Sequence, residues 1–138
     1  MTDGQAHRGA AGDALAAVQA VADRHVPAFL AGERADDDLY AWPVSTWHAA
    51  TGTTTQISEP PSQARLRAVV PDLRHEDVRV DVHAGGYVIR ATVVGTVEGA
   101  EVRVHTAVFV TVVDGRITRF DEYADAAQAA PFVNVLRG

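Results

Sequence analysis

DGRITRFDEYAD, residues 114–125, follows a long stretch of alternating apolar and polar residues over positions 101–113. Asp114 and Gly115 make the kind of two-residue turn that reverses a chain between strands, so residues 101–123 read as a β-hairpin. In the outgoing strand Val102, Val104, Thr106, Val108, Val110 and Val112 share one face, because strand side chains alternate with period two. In the return strand Thr118, Phe120 and Glu122 share one face. If the two faces coincide, Glu122 sits in an apolar concavity. An ionisable group in such a place is either a paired structural charge or a catalytic one.

Working outward, the second half of the chain is strand and the first half is largely helix. Strands are expected over residues 77–83, 87–97, 101–113 and 116–123, joined by Gly85-Gly86, by Glu98-Gly99-Ala100 and by Asp114-Gly115. Asp13 is a suitable N-cap for a helix whose apolar positions Leu15, Val18, Ala22, Val26 and Phe29 follow the helical period, with Pro27 kinking or dividing it. Residues 33–41 form a polar connection, and the Asp36–Asp38 run belongs in solvent because clustered carboxylates are costly to bury. The threonine- and tryptophan-rich stretch from Val44 to Ile57 reads as one or two short strands turning near Gly52. Ser58, Pro60 and Pro61 announce a second helix carried by Ala64, Leu66, Val69 and Val70, ending near Pro71. Helices followed by antiparallel strands define an α+β domain, a curved and mostly antiparallel sheet wrapped around the N-terminal helices.

Composition bounds the function. The chain has 138 residues and no cysteine, which removes thiol redox chemistry, zinc–thiolate sites and disulfides, and makes the cytoplasm the expected compartment. One domain over residues 13–138 is expected, with residues 1–12 as a flexible polar lead-in. A formal net charge of −6 works against nucleic acid and anionic membranes as partners.

The order of elements, together with TWHAATG at 46–52, VVPDLRHEDVRV at 69–80 and the DGRITRFDEYAD ending, resembles the SnoaL-like, or nuclear-transport-factor-2-like, superfamily. That resemblance covers roughly residues 13–136 and implies a cone-shaped α+β barrel. Its members include polyketide cyclases, ketosteroid isomerases and limonene epoxide hydrolases. The acid–arginine–acid set of the epoxide hydrolases falls on Glu122, Arg90 and Thr92, and their water-holding tyrosine and asparagine fall on Trp47 and Ala49. Three of these five positions depart from that family's residues. The ketosteroid isomerase base would also lie close to Ala49. What the resemblance leaves is the polyketide-cyclase pattern, a single acid on the last strand moving protons on a bulky carbon acid.

Glu122 and Arg90 are therefore the candidate catalytic pair. Desolvation among valines and Phe120 would raise the carboxyl pKa and poise it as a general acid or base. Arg90, expected on the inward face with Val88, Thr92 and Val94, would hold Glu122 ionised or stabilise negative charge on a ligand, or the two would form a purely structural salt bridge. Trp47, Tyr40, Trp42, Thr92, Thr106, Val108, Phe120 and Phe132 are the candidate substrate-binding residues, with Trp47 inward and His48 outward. The tail from Ala126 to Leu136 is expected to fold over the mouth of the cone. No metal site is expected from His48, His83 and His105, and no cofactor is implied.

The opposite face of the sheet, with Ile89, Ala91 and Val93 beside Ala107, Phe109 and Val113, is too apolar to stand in water, which points to a homodimer packed sheet to sheet. Arg79, Asp81, Arg103, Arg119 and Asp121 would supply its polar contacts. Three readings of function follow: a cofactor-independent cyclase or isomerase, a non-catalytic binder of a small apolar metabolite, and an epoxide hydrolase.

Overall fold

The computed structural model describes residues 3–138. Helix α1, Asp3–Ala31, is followed by a 3-10 turn at Asp37–Leu39, strands β1, Tyr40–His48, and β2, Thr53–Ile57, and a short helix α2, Ala64–Val69. Strands β3, Arg74–His83, β4, Gly86–Val97, β5, Ala100–Val113, and β6, Arg116–Ala124, precede a closing helix α3, Ala126–Arg137. The strands form one six-stranded sheet in the order β2-β1-β6-β5-β4-β3. Among the described residues only β1 and β6 run parallel. The two ends of that order are not paired to each other, so the curved sheet is open and not a closed barrel.

Helix α1 lies on the inner face of this sheet. Val18, Val21 and Ala22 bury against Tyr87, Ile89, Val108, Val110, Val112, Ile117 and Phe120. Leu15, expected in that stripe, is 44% exposed. Asp13 lies inside the helix, which starts upstream of it, so the expected lead-in is in part helical. The helix also runs through Pro27 without a break. Both Pro27 and Asp23 are on the solvent side, so water can satisfy the Asp23 carbonyl that the missing N–H leaves free. The helix ends in a Schellman motif: Glu33 N–H donates to the Ala28 carbonyl at 2.9 Å and Gly32 N–H to the Phe29 carbonyl at 3.1 Å. Gly32 has φ +70°, the left-handed conformation this motif requires. The Asp36–Asp38 run is exposed as expected, but Arg24 gathers it, with contacts of 2.8 Å to Asp36 and 2.9 Å to Asp38.

Turn length sets which side chains face α1. At the β4–β5 hairpin only Glu98 and Gly99 form the turn, with φ of 52° and 80°, and Val97 pairs with Ala100. A three-residue turn including Ala100 would have placed the even residues of both strands on one face. With two residues, odd positions of β4 stand beside even positions of β5: Ile89 opposite Val108, Ala91 opposite Thr106. Tyr87, Ile89 and Ala91 therefore point inward. Val88, Arg90, Thr92 and Val94 point outward, the reverse of the sequence expectation. At the β5–β6 hairpin the turn pairs Val113 with Arg116, and a bulge at Thr111–Val112 then shifts the register. Ile117 thus reaches the core beneath Val112, while Phe120 and Glu122 still come to lie beside Val110 and Val108.

The C-terminal tail, expected to fold over the cone mouth, instead forms α3, which covers a second core. Phe132 packs there with Val70, Leu73, Val102 and Val104. Gly95 allows this approach, since a Cβ at that position would lie 2.5 Å from the Val70 side chain and 3.3 Å from the Phe132 ring. Asp125 caps the helix by accepting from Gln128 N–H at 3.0 Å. No helix among the described residues is long and apolar enough to cross a membrane.

Candidate functional site

The end of α1, the start of β1, the middle of β5 and the end of β6 enclose a cavity of about 220 Å³. Its buried wall is His25, Gly32, Tyr40, Val108 and Phe120, with Phe29 and Gln63 partly buried beside them. Glu33, Pro61, Ser62 and Glu122 are the exposed rim. Tyr40, Val108, Phe120 and Glu122 thus line one concavity.

The remaining candidates are elsewhere. Arg90 points out of the opposite face and pairs with Asp81 at 3.0 Å, so it does not meet Glu122. Thr92 is buried on that same outer face, where its hydroxyl bonds His105 Nδ1 at 3.0 Å. Thr106 shares the inner face, yet its hydroxyl donates to the Ala91 carbonyl at 2.9 Å and it does not line the cavity. Phe132 belongs to the second core, and Trp42 stacks on Tyr40 with ring centroids 4.5 Å apart. Trp47 points outward and packs edge-on against Tyr123 at 5.4 Å. The parallel β1–β6 register explains this reversal. Thr46 stands beside Phe120 and His48 beside Glu122, which puts His48 on the inner face and Trp47 beside Asp121 on the outer one.

Glu122 consequently has an imidazole partner. His48 Nδ1 lies 3.1 Å from Glu122 Oε2, and His48 Nε2 lies 3.1 Å from the Thr55 hydroxyl on β2. A carboxylate only accepts hydrogen bonds, so the pairing places a ring proton on Nδ1. Glu122 is not desolvated among valines as expected: its side chain is 47% exposed at the cavity rim.

His25 is the residue the sequence reading passed over. It is 2% exposed, and burial pushes its imidazole down from the ordinary 6.5 to about 4, so it is neutral at physiological pH. Tyr87, fully buried on β4, places its hydroxyl 2.7 Å from His25 Nδ1. Burial also pushes that phenol well above the usual tyrosine range, so it keeps its proton. His25 Nδ1 is the hydroxyl's one partner among the described residues. Were Nδ1 protonated, the buried phenol would have no acceptor, at a cost of about 1–3 kcal/mol. The phenol therefore donates, Nδ1 accepts, and the ring proton resides on Nε2. Phe29, Tyr40, Tyr87 and Phe120 surround the ring at centroid distances of 5.6–6.2 Å. Tyr40 is likewise held protonated, pushed up to about 12 chiefly by burial with the Asp37 charge adding to it. A signal for His25 exists in the sequence: it lies three, four and seven residues after Ala22, Val21 and Val18, on the buried stripe of α1.

Among the described residues no group of three or more His, Cys, Asp or Glu side chains is placed to hold a metal ion. Neither a family model nor a curated protein matches the sequence. Solved structures do match the fold. A protein from Xanthomonas campestris pv. campestris, named only as a polyketide cyclase, superimposes with a TM-score of 0.60 at 18% identity, over 86% of this chain and 98% of its own. An NTF2-like protein from Burkholderia xenovorans LB400 gives 0.58 at 14% identity, over 84% of this chain and 95% of its own. A protein with a ketosteroid isomerase-like fold from Catenulispora acidiphila, solved in complex with trimethylamine, gives 0.53 at 20% identity, over 70% and 78%. The chain therefore has the NTF2-like cone fold of the SnoaL-like and ketosteroid isomerase-like proteins. At these identities the likeness extends to the fold and stops there, because one cone hosts many chemistries.

Proposed function

We propose that this protein moves a proton on a small apolar carbon acid without a cofactor, as a cyclase or isomerase, with Glu122 as the group that carries the proton. The observation behind this reading is the placement of a carboxylate, oriented by His48 at 3.1 Å, on the rim of a cavity walled by rings. A proton-transfer group needs reach and orientation before it needs a shifted pKa. Glu122 has both. His48 is a positioning residue that fixes the carboxylate's rotamer, and its link to Thr55 offers the proton a way to solvent. The cavity volume equals that of about seven liquid waters, so a one- or two-ring substrate fits inside and a larger polycycle would extend past the rim.

The test is Glu122→Gln, which keeps size and removes the base. Against a panel of small cyclic and polyketide-derived ketones, we expect kcat to fall about a hundred- to ten-thousand-fold while binding persists. Full turnover by the variant overturns the assignment.

A second reading is a binding protein. The charged groups on the cavity rim, Glu33 and Glu122, are both carboxylates, which together with the ring wall suits a small amine, and the Catenulispora neighbour was solved with trimethylamine. Amine binding weakened in Glu122→Gln, with no substrate turned over by either protein, would favour it.

We further propose that a second copy of the chain covers the outer face. Trp47, Tyr123 and Phe109 form an edge-to-face aromatic row there, with Phe109 43% and Tyr123 45% exposed. The pairs Arg90–Asp81 and Arg119–Asp121 lie beside the row on the same face. A self-complementary patch closes with two-fold symmetry. Light scattering should give a dimer for the wild type and a monomer for Phe109→Glu. A monomeric wild type at high micromolar concentration rules the dimer out.

A further inference from the structure

We propose that the buried wall of the cavity recognises a ligand oxygen, with His25 donating Nε2–H to an uncharged carbonyl and Tyr87 fixing the imidazole in that tautomer. The inference rests on the proton-transfer reading and names its substrate class: a small cyclic ketone or related carbonyl compound, seated oxygen-first. His25 is buried within the cavity wall, its Nδ1 is taken by Tyr87, and Nε2 has no hydrogen-bond partner among the described residues. The groups facing the ring are Phe29 on α1, Tyr40 on β1, Tyr87 on β4 and Phe120 on β6, and the charged groups of the same cavity are Glu33 and Glu122 at the rim. No cation lines the cavity among the described residues, so a carboxylate or phosphate would meet no counter-charge there and would face the carboxylates of Glu33 and Glu122. A carbonyl matches a neutral donor in apolar surroundings. It also completes the chemistry. A proton leaves the carbon beside a carbonyl only as negative charge moves to the oxygen, and a fixed N–H aimed at that oxygen stabilises the charge as it forms. Glu122 accepts the proton from carbon, the electron pair of that bond moves into the enolate, and the same carboxyl returns the proton at a second carbon or oxygen. Atoms and charge balance with no further reactant.

The experiment is long-range proton–nitrogen NMR of the histidine rings in the uniformly labelled full chain, titrated with cyclohexanone and with methylenecyclohexane, which matches its shape and lacks the oxygen. The expected spectrum shows His25 as the Nε2–H tautomer. Cyclohexanone should move the Nε2 signal saturably and bind about two- to tenfold more tightly than the hydrocarbon, the range of one hydrogen bond. Tyr87→Phe should admit the other tautomer and reduce the preference for the ketone while hydrocarbon binding persists. An Nδ1–H tautomer in the wild type, or a ketone that leaves Nε2 unmoved at its solubility limit, overturns the proposal without requiring any variant to fold. Glu122→Gln separates the two claims. A His25 response to cyclohexanone that survives in this variant supports the donor role, and turnover that also survives overturns the Glu122 assignment alone.

Discussion

Glu122 is steered by an imidazole, and that choice of partner affects what the carboxylate can do. A guanidinium stays charged at every physiological pH and would hold a nearby carboxylate ionised by a permanent field. An imidazole can gain and lose a proton in the physiological range, so a Glu–His pair can pass protons as well as accept orientation. The chain keeps its guanidinium on the other side of the sheet. Arg90 pairs with Asp81 across β3 and β4, with about half of each side chain or more in water. Exposed pairs of this kind contribute about 0–1 kcal/mol. Arg90→Gln should therefore change unfolding free energy by about 0.5 kcal/mol or less in urea titration and leave ligand binding in the cavity unchanged. A loss of cavity binding in that variant would show that the guanidinium reaches the site, contrary to its outward placement.

At the scale of elements, what the sequence disclosed follows from how each element is specified. The three long strands and the positions of their turns are legible because alternation and Asp-Gly or Glu-Gly pairs are local signals. The inward face of β5, and with it Val108, is legible because six alternating positions point one way. The face of β4 is not legible from the strand alone, since Val88 and Val94 on one side rival Tyr87, Ile89 and Ala91 on the other. One residue more or less in the turn decides between them, and that decision carried Arg90 and Thr92 out of the site. Trp47 and His48 were settled by a parallel pairing between β1 and β6, a contact between segments about seventy residues apart that no local pattern encodes. Helix α3 is a different case. Asp125 followed three residues later by Gln128 is a helix-start signal visible in the sequence, partly masked by Pro131 inside the helix. His25 was hidden for a physical reason: on a helical stripe of valine and alanine, an imidazole reads as an interruption until its buried phenol partner from β4 is known.

For the whole molecule, the burial that prepares His25 for a ligand also ties stability to pH. The unfolded chain protonates this histidine near 6.5, whereas the folded chain resists protonation down to about 4. Below the unfolded value the unfolded state binds a proton that the native state refuses, so acid pulls the equilibrium toward unfolding. The full contribution is present above pH 6.5, is lost progressively as pH falls from 6.5 to about 4, and changes no further below that. A displacement of this size is worth about 3 kcal/mol, a large share of the roughly 5–15 kcal/mol that holds a domain folded. His75 adds in the same direction, since burial lowers its pKa as well, against a hydrogen bond to the Leu30 carbonyl that raises it. Urea denaturation at pH 7.5 and pH 4.5 separates the two. The wild type should lose most of that 3 kcal/mol more than His25→Gln does over this interval, after subtraction of the dependence the two share. Parallel pH profiles for the two proteins would mean that the folded state protonates His25 as readily as the unfolded chain, and a cavity able to do that would no longer present a neutral donor to its ligand.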